Sequence, residues 1–317
     1  MPRIHDTWAT ATVPHGLELY HSGAWHDVTA DLGDDGVTIT RGRRQDRDRV
    51  DPSSMTLTLD NTGGTYSPRN PSSSLYGLIG RGTPVRYWVR AGRPRLRCLS
   101  GVDDGAATPD AAGLQVTTQD IDVRIDLRLD SWRADIELMG QWTTGQRCWS
   151  LAVLNTGEMA LSLSFDGATP TFGRSTNALP FESGRLAIRA TLDQDGAGGT
   201  NRLYAFYYST EPGLNGPWTY LGGQSGGVTT ALFNSTSPVA IGDTDDQARL
   251  AGDVFSASLR RAIDGTVVAS PDFTAATDGA TSFADAQGNT WTVQGGAQLD
   301  AKHDRFTGEV VAWPQQW

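Results

Sequence analysis

Cysteine is scarce in this chain: Cys98 and Cys148 are the only two in 317 residues. Two thiols so far apart cannot form the disulfide framework of a small secreted scaffold. They are expected to be reduced and buried, in a protein made in a cytoplasm. The Cys and His residues lack the close spacing of a zinc site, and neither a G-x-S-x-G nucleophile motif nor a Gly-rich phosphate loop is present. No run approaches the roughly 20 apolar residues of a membrane helix, so no membrane insertion is expected. The opening MPRIHDTWATATVPHG has no apolar core like that of a signal peptide, which argues against Sec export. Amphipathic helical patterns are missing too. What is abundant is Gly (37) and Pro (15), alongside 38% hydrophobic and 20% charged residues. That balance belongs to a folded, turn-rich protein long enough for two domains.

The net charge of −10 is unevenly spread. Between Asp104 and Leu299 stand 11 Arg or Lys against 22 Asp or Glu, whereas 1–103 and 300–317 together hold 15 against 14. An acidic domain, 104–299, inserted into a near-neutral discontinuous one, 1–103 plus 300–317, accounts for the contrast.

The first piece reads as short strands. GLELYHSG, WHDVTADL, DGVTITRGR, SMTLTLDN and TPVRYWVRAG carry β-branched or aromatic residues at alternate positions. In SMTLTLDN, Met55, Leu57 and Leu59 point one way and Thr56, Thr58 and Asp60 the other. NTGGTYSPRNPSSSLYG follows as a long loop, with Gly63-Gly64 permitting a turn and Pro68 and Pro71 stopping any strand. The chain ends on RFTGEVVAWPQQW, a strand-like segment with no hairpin neighbour. A lone strand must join a sheet made elsewhere. PVRYWVRA and PRLRCLSG are its expected partners, and a small closed barrel is the expected product.

These segments resemble the N-terminal region of minor tail proteins from long-tailed phages and prophages of actinobacteria. The matching pieces occur in order: W-x-D-V-T at Trp25, Asp27, Val28 and Thr29; I-T-R-G-R at Ile39 to Arg43; L-T-L-D-N at Leu57 to Asn61; Y-S-P-R-N-P at Tyr66 to Pro71. RFTGEVVAWPQQW is similar to the strand that closes the same region. The resemblance implies a virion component of the tail tip or baseplate, like the distal tail protein, built on a split β-barrel that forms rings. Its partners would be the tail tube, hub and tape measure. It would assemble as a ring of six copies, with three as the alternative.

The middle piece has longer strands. In IDVRIDLRLDSW, Val123, Ile125, Leu127 and Leu129 are expected inward, and Asp122, Arg124, Asp126, Arg128 and Asp130 toward water. CWSLAVLNTGEMALSLSFDG reads as a hairpin around Asn155-Thr156-Gly157, and GRLAIRATLDQDGAGGTNRLYAFYYST as a second one. About ten antiparallel strands without a helix make a two-sheet jelly-roll sandwich the expected architecture. Strand order, and Ile241-Gly242 followed by A-G-D-V-F-S-A-S-L-R, resemble the laminin-G-like, concanavalin A-like family.

Candidate sites are few. Asp122, Asp126 and Asp130 are carboxylates on one strand, but residues four apart lie about 13 Å from each other. Glycosidases need two acids about 5 to 10 Å apart, with one pKa raised. A solvated strand face explains these acids better, and no enzyme is expected. The run GDTDD from Gly242 to Asp246, with Asp166, offers oxygens to Ca2+, or forms a polar turn; no metal ligand is assigned. Trp142, Trp149 and Trp218 could each present a flat face to a sugar ring or pack in the core or at a sheet edge, and Trp149 lies on an alternating strand. Trp218, in the loop NGPWTY, is the candidate ligand-binding residue, facing a sugar ring. Arg41, Arg43, Arg44, Arg47 and Arg49 are diluted by Asp46, Asp48 and Asp51 and lack interleaved aromatics. They suit a contact between subunits, or equally a solvated loop, rather than nucleic acid. His21 and His26 read as surface residues. The combined expectation is a phage tail-tip protein whose sandwich contacts host cell-wall glycan. A free carbohydrate-binding module or glycosidase is the alternative.

Overall fold

The computed structural model describes residues 15–33, 37–40, 53–196, 201–242 and 249–310. It is all-β, as the alternating patterns predict. The strands in chain order are β1 (His15–His21), β2 (Ala24–Asp27), β3 (Thr38–Thr40), β4 (Ser54–Thr56), β5 (Pro84–Leu99), β6 (Gly105–Thr108) and β7 (Ile121–Leu129). Next come β8 (Ile136–Gln141), β9 (Trp149–Val153), β10 (Met159–Ser164), β11 (Pro170–Arg174), β12 (Gly184–Asp193), β13 (Asn201–Ser209) and β14 (Thr219–Val228). The last are β15 (Val239–Gly242), β16 (Ala251–Arg261), β17 (Thr266–Ala269), β18 (Ser282–Ala284), β19 (Thr290–Gln294) and β20 (Gln298–Glu309). The chain forms two compact units, 1–92 with 302–317 and 93–301, against expected limits of 103/104 and 299/300.

In the first unit, β1 and β2 make a hairpin through Ser22 and Gly23, both at positive φ, as a tight two-residue turn requires. β1 also pairs with β5, placing Leu17 opposite Tyr87 and Leu19 opposite Val85. β20 pairs with β5, the expected partner of the C-terminal segment. Just beyond it, Val310 N donates to Thr83 O at 2.9 Å and accepts from Gly82 N at 2.8 Å through its carbonyl.

Closure into a barrel does not occur among the described residues. β3 and β4 pair with each other, and SMTLTLDN leaves the ladder after Thr56, touching Leu32 through a single bridge at Leu59. The residues that follow spend their polar groups locally instead of on a sheet. Asn61 Oδ1 accepts from Tyr66 N at 2.8 Å, and Asn70 Nδ2 donates to Gly64 O at 3.1 Å. Side chains of this type compete with ladders for backbone partners.

WHDVTADL also stops being a strand for a local reason. Asp27 accepts from both the amide (2.8 Å) and the hydroxyl (2.5 Å) of Thr29, turning the chain into a 3-10 turn at Thr29–Asp31. Tyr66 then donates its hydroxyl to Asp31, and burial followed by this bond pushes its phenol far above the usual range. Leu17, Leu19, Val28, Tyr66, Ile79 and Val85 form the core of this unit, with Met55, Leu57 and Leu59 packed against it. Three of the motif pieces thus meet in one small cluster, through Val28, Leu57, Leu59 and Tyr66.

The second unit is a two-sheet antiparallel sandwich. One sheet has the order β14-β13-β12-β7-β16-β5, with β17 beside β16; the other runs β11-β10-β9-β8-β15-β6-β19-β18. Val123, Ile125, Leu127 and Leu129 do point inward and are buried against Trp149, Leu151, Leu161 and Ile241 of the facing sheet. The hairpin around Asn155-Thr156-Gly157 forms as expected, joining β9 to β10 with Gly157 at φ 82°. Both cysteines are free and buried; burial pushes the Cys148 thiol up to about 12 and that of Cys98 higher still. Trp142 is buried, and Trp149 is fully so, as the alternation of its strand suggested.

Replacing Trp149 by Ala removes one of the largest side chains of this core. The change should cost about 3–5 kcal/mol. Urea denaturation reads it, and an unshifted midpoint would place Trp149 outside the core.

Candidate ligand-binding face of the sandwich

The sheet containing β7 has a second face, turned away from the core. Cross-strand register sets its composition. One row crosses five strands: Tyr220 on β14, Tyr207 on β13, Arg189 on β12, Arg124 on β7 and Ser258 on β16. The row on one side holds Thr191, Asp122 and Arg260, and the row on the other holds Ala187, Asp126 and Ser256. Two bulges make this alignment. On β16 the register shifts between Val254 and Ser256, so that Asp253 before it and Ser256, Ser258 and Arg260 after it share the outer face. Between β13 and β14 a shift after Phe206 sets Tyr207 opposite Tyr220. A bulge reverses the in–out parity that alternation alone would continue.

Asp122, Arg124 and Asp126 are not the solvated residues that alternation predicts; each is at most 4% exposed, while Asp130 is exposed. The loop after β13 and the turn between β16 and β17 cover them. Asp122 accepts from Arg124 (Nε 3.0 Å, Nη2 2.6 Å) and from Arg189 (Nε 3.0 Å, Nη2 2.8 Å), and from the Asp264 amide at 3.0 Å. Asp264 returns its own carboxylate to both guanidiniums, contacting Arg189 at 3.0 Å. Arg124 also donates to Leu214 O at 3.1 Å. Asp126 takes a bidentate pair from Arg185 (2.9 and 2.8 Å) and the Gly213 amide at 2.6 Å.

Burial alone would raise the pKa of Asp122. The two guanidiniums and the Asp264 amide outweigh it and hold the carboxyl below its ordinary value. A group held ionised in this way cannot serve as the general acid of a glycosidase.

Aromatic rings border the network. Trp218 is half-buried, with the Arg124 guanidinium 5.8 Å from its ring centroid. Tyr207 lies 5.4 Å from Tyr220 and 5.4 Å from the Arg189 guanidinium, and Tyr220 is 61% exposed. Tyr207 and Tyr220 were not legible as site residues, because only the bulge brings them into line with Arg189. Alongside β16 runs a groove of about 610 Å³, lined by Ser256, Ser258, Arg260, Asn215, Asp272 and Gln287 among others.

The remaining candidates lie elsewhere. Arg41, Arg43, Arg44, Arg47 and Arg49 fall outside the described residues, as does the stretch 243–246 of the GDTDD run. Asp166 accepts from the amides of Thr169 (2.7 Å) and Ala168 (2.8 Å) and from the hydroxyls of Thr169 and Ser164, which hold it far below the usual carboxylate range. Asp120, Asp193 and Asp195 bring carboxylate oxygens within 4.8 Å of one another. Two of these acids already accept backbone amides, from Gln194 and Gly196. His21 and His26 stack at 3.8 Å, partly exposed, on the β1–β2 hairpin.

Asp122→Asn leaves two buried guanidiniums facing a neutral amide. Removing one partner of a buried pair costs about 3–5 kcal/mol, and Asp264 keeps this case near the low end. Because the folded pKa of Asp122 is depressed, its stabilisation is fully present above the ordinary value of 3.8 and is lost as pH falls through the folded value. Acid titration of the unfolding free energy should therefore fall more steeply below about pH 4 in the native protein than in Asp122→Asn. Identical slopes would exclude Asp122 as a linked group.

No family model matches this chain, and no curated protein does. Among solved structures, a candidate carbohydrate-binding protein from Bacteroides ovatus ATCC 8483 is 11% identical, with a TM-score of 0.43, covering 96% of this chain and 92% of that one. The heptameric SAP-like pentraxin from Limulus polyphemus is 9% identical (TM-score 0.34; 57% and 92%). The CBM40 of the Ruminococcus gnavus IT-sialidase is 12% identical (TM-score 0.34; 50% and 87%). Likeness at this level carries no functional argument for the present chain.

Proposed function

We propose that the sandwich binds glycan through the outer face of its β7 sheet, and that the first unit ties it to the tail tip of a long-tailed phage. The observation that carries the first part is the accessible end of the cross-strand row, Tyr220 and Tyr207, with half-buried Trp218 beside Arg124. Flat aromatic faces stack on the apolar side of a sugar ring and tyrosine hydroxyls meet its oxygens, while the buried Arg124 and Arg189 hold the rings in place. The acids of the face are committed to arginines, so the reading includes no catalytic step. The second part rests on the ordered motifs at Trp25–Thr29, Leu57–Asn61 and Tyr66–Pro71, whose residues pack into one core. In this reading the first units assemble in a ring of six or three copies, with the acidic sandwiches repelling one another and held apart. The same face would equally serve a free carbohydrate-binding module, and location separates the two.

Two experiments test the proposal. Trp218→Ala and Tyr220→Ala should each reduce binding to host cell-wall preparations by about tenfold or more, at unchanged melting temperature. Intact binding by both variants would sink the glycan reading. Antibody labelling of phage particles should place the chain at the tail tip; finding it on the capsid, or only free of particles, would end the tail reading.

A further inference from the structure

Arg260 is the third guanidinium of this face, and it differs from the other two. Arg124 and Arg189 each contact both Asp122 and Asp264. Among the described residues Arg260 has no ion pair. Its Nη1 donates to Gly265 O at 3.2 Å, while its Nε is buried without a hydrogen-bond partner. Two residues away on the same face of β16, Ser258 is 2% exposed, and its hydroxyl is also unpartnered. An unsatisfied buried donor costs about 1–3 kcal/mol. Residues i and i+2 of a strand are about 7 Å apart, close enough for both donors to reach one small group.

Both residues line the groove beside β16. Its two acids, Asp285 and Asp272, accept from neutral donors and keep their charges. Asp285 accepts from the amides of Ser270, Gln287 and Asn289 and from the Asn289 and Trp291 side chains. Asp272 turns one oxygen to the amide and hydroxyl of Thr274. Arg260 stands beside Arg124, and burial, and next Arg124, lower its pKa; an anion at its side chain would offset both.

We propose that this groove takes the anionic group of an acidic glycan, a sugar carboxylate or sugar phosphate, with Arg260 as its ion-pair partner and Ser258 as a hydrogen-bond donor. The inference rests on the glycan reading and narrows its ligand. Such charge-assisted bonds are strong and selective for anionic oxygens.

Calorimetry on the full chain tests it with four probes: an oligogalacturonate, the same oligosaccharide with its carboxylates reduced to alcohols, a mannose-6-phosphate glycan, and inorganic phosphate. At least one acidic glycan should bind about tenfold more tightly than the neutral one. Arg260→Gln should erase that preference and Ser258→Ala should reduce it, with melting temperatures unchanged. Which acidic glycan wins identifies the anion. Equal binding of acidic and neutral sugars, or a preference that survives in Arg260→Gln, would overturn this inference and leave the glycan reading standing. Binding of inorganic phosphate with no gain from the sugar would also overturn it. Binding of no sugar at all would overturn both.

Discussion

The outer face of the sandwich depends on one buried ion cluster, in which Asp122 accepts five hydrogen bonds from Arg124, Arg189 and the Asp264 amide. Charges removed from water cost several kcal/mol each unless their partners are in place. Three separate pieces of chain supply those partners here: β7, β12 and the turn after β16. Leu214 and Gly213 bind the loop after β13 to the same cluster through Arg124 and Asp126. The cluster therefore fixes the positions of a sheet, a turn and a loop at once, and Trp218 stands at the end of that loop. Removing the central carboxylate would loosen every part that carries the candidate site.

The first unit is organised on a different principle. Its strands are short, and its polar side chains satisfy nearby backbone groups. Asp27 folds the chain at Thr29, Asn61 holds the amide of Tyr66, and Tyr66 reaches back to Asp31. These local bonds divert the chain from ladder pairing, which is why the strands near 54–61 stay short and no closed barrel forms among the described residues.

Legibility followed the range of the forces involved. Alternation marked the strands β7, β9, β10 and β12 and the inward face of β7, because burial of every second residue is written directly into the sequence. It also pointed to Trp149 as a core residue. It misread Asp122, Arg124 and Asp126, because alternation tells which side of a sheet a residue takes and not what covers that side. The cover comes from residues 210–218 and 262–265, some 90 and 140 positions along the chain from Arg124.

By itself the sequence determined the all-β class, the inward rows of the long strands, the buried thiols, and the pairing of the C-terminal strand with β5. Each follows from local periodicity or from the need of a strand for a sheet. Tertiary structure alone decided that Asp122, Arg124 and Asp126 are buried, that Tyr207 and Tyr220 join Arg189 and Arg124 in one row, and that Arg260 has no ion pair among the described residues. The physical reason is register. Two bulges reset which side chains share a face, and ion pairs between residues far apart in sequence are chosen only once the sheets have been assembled.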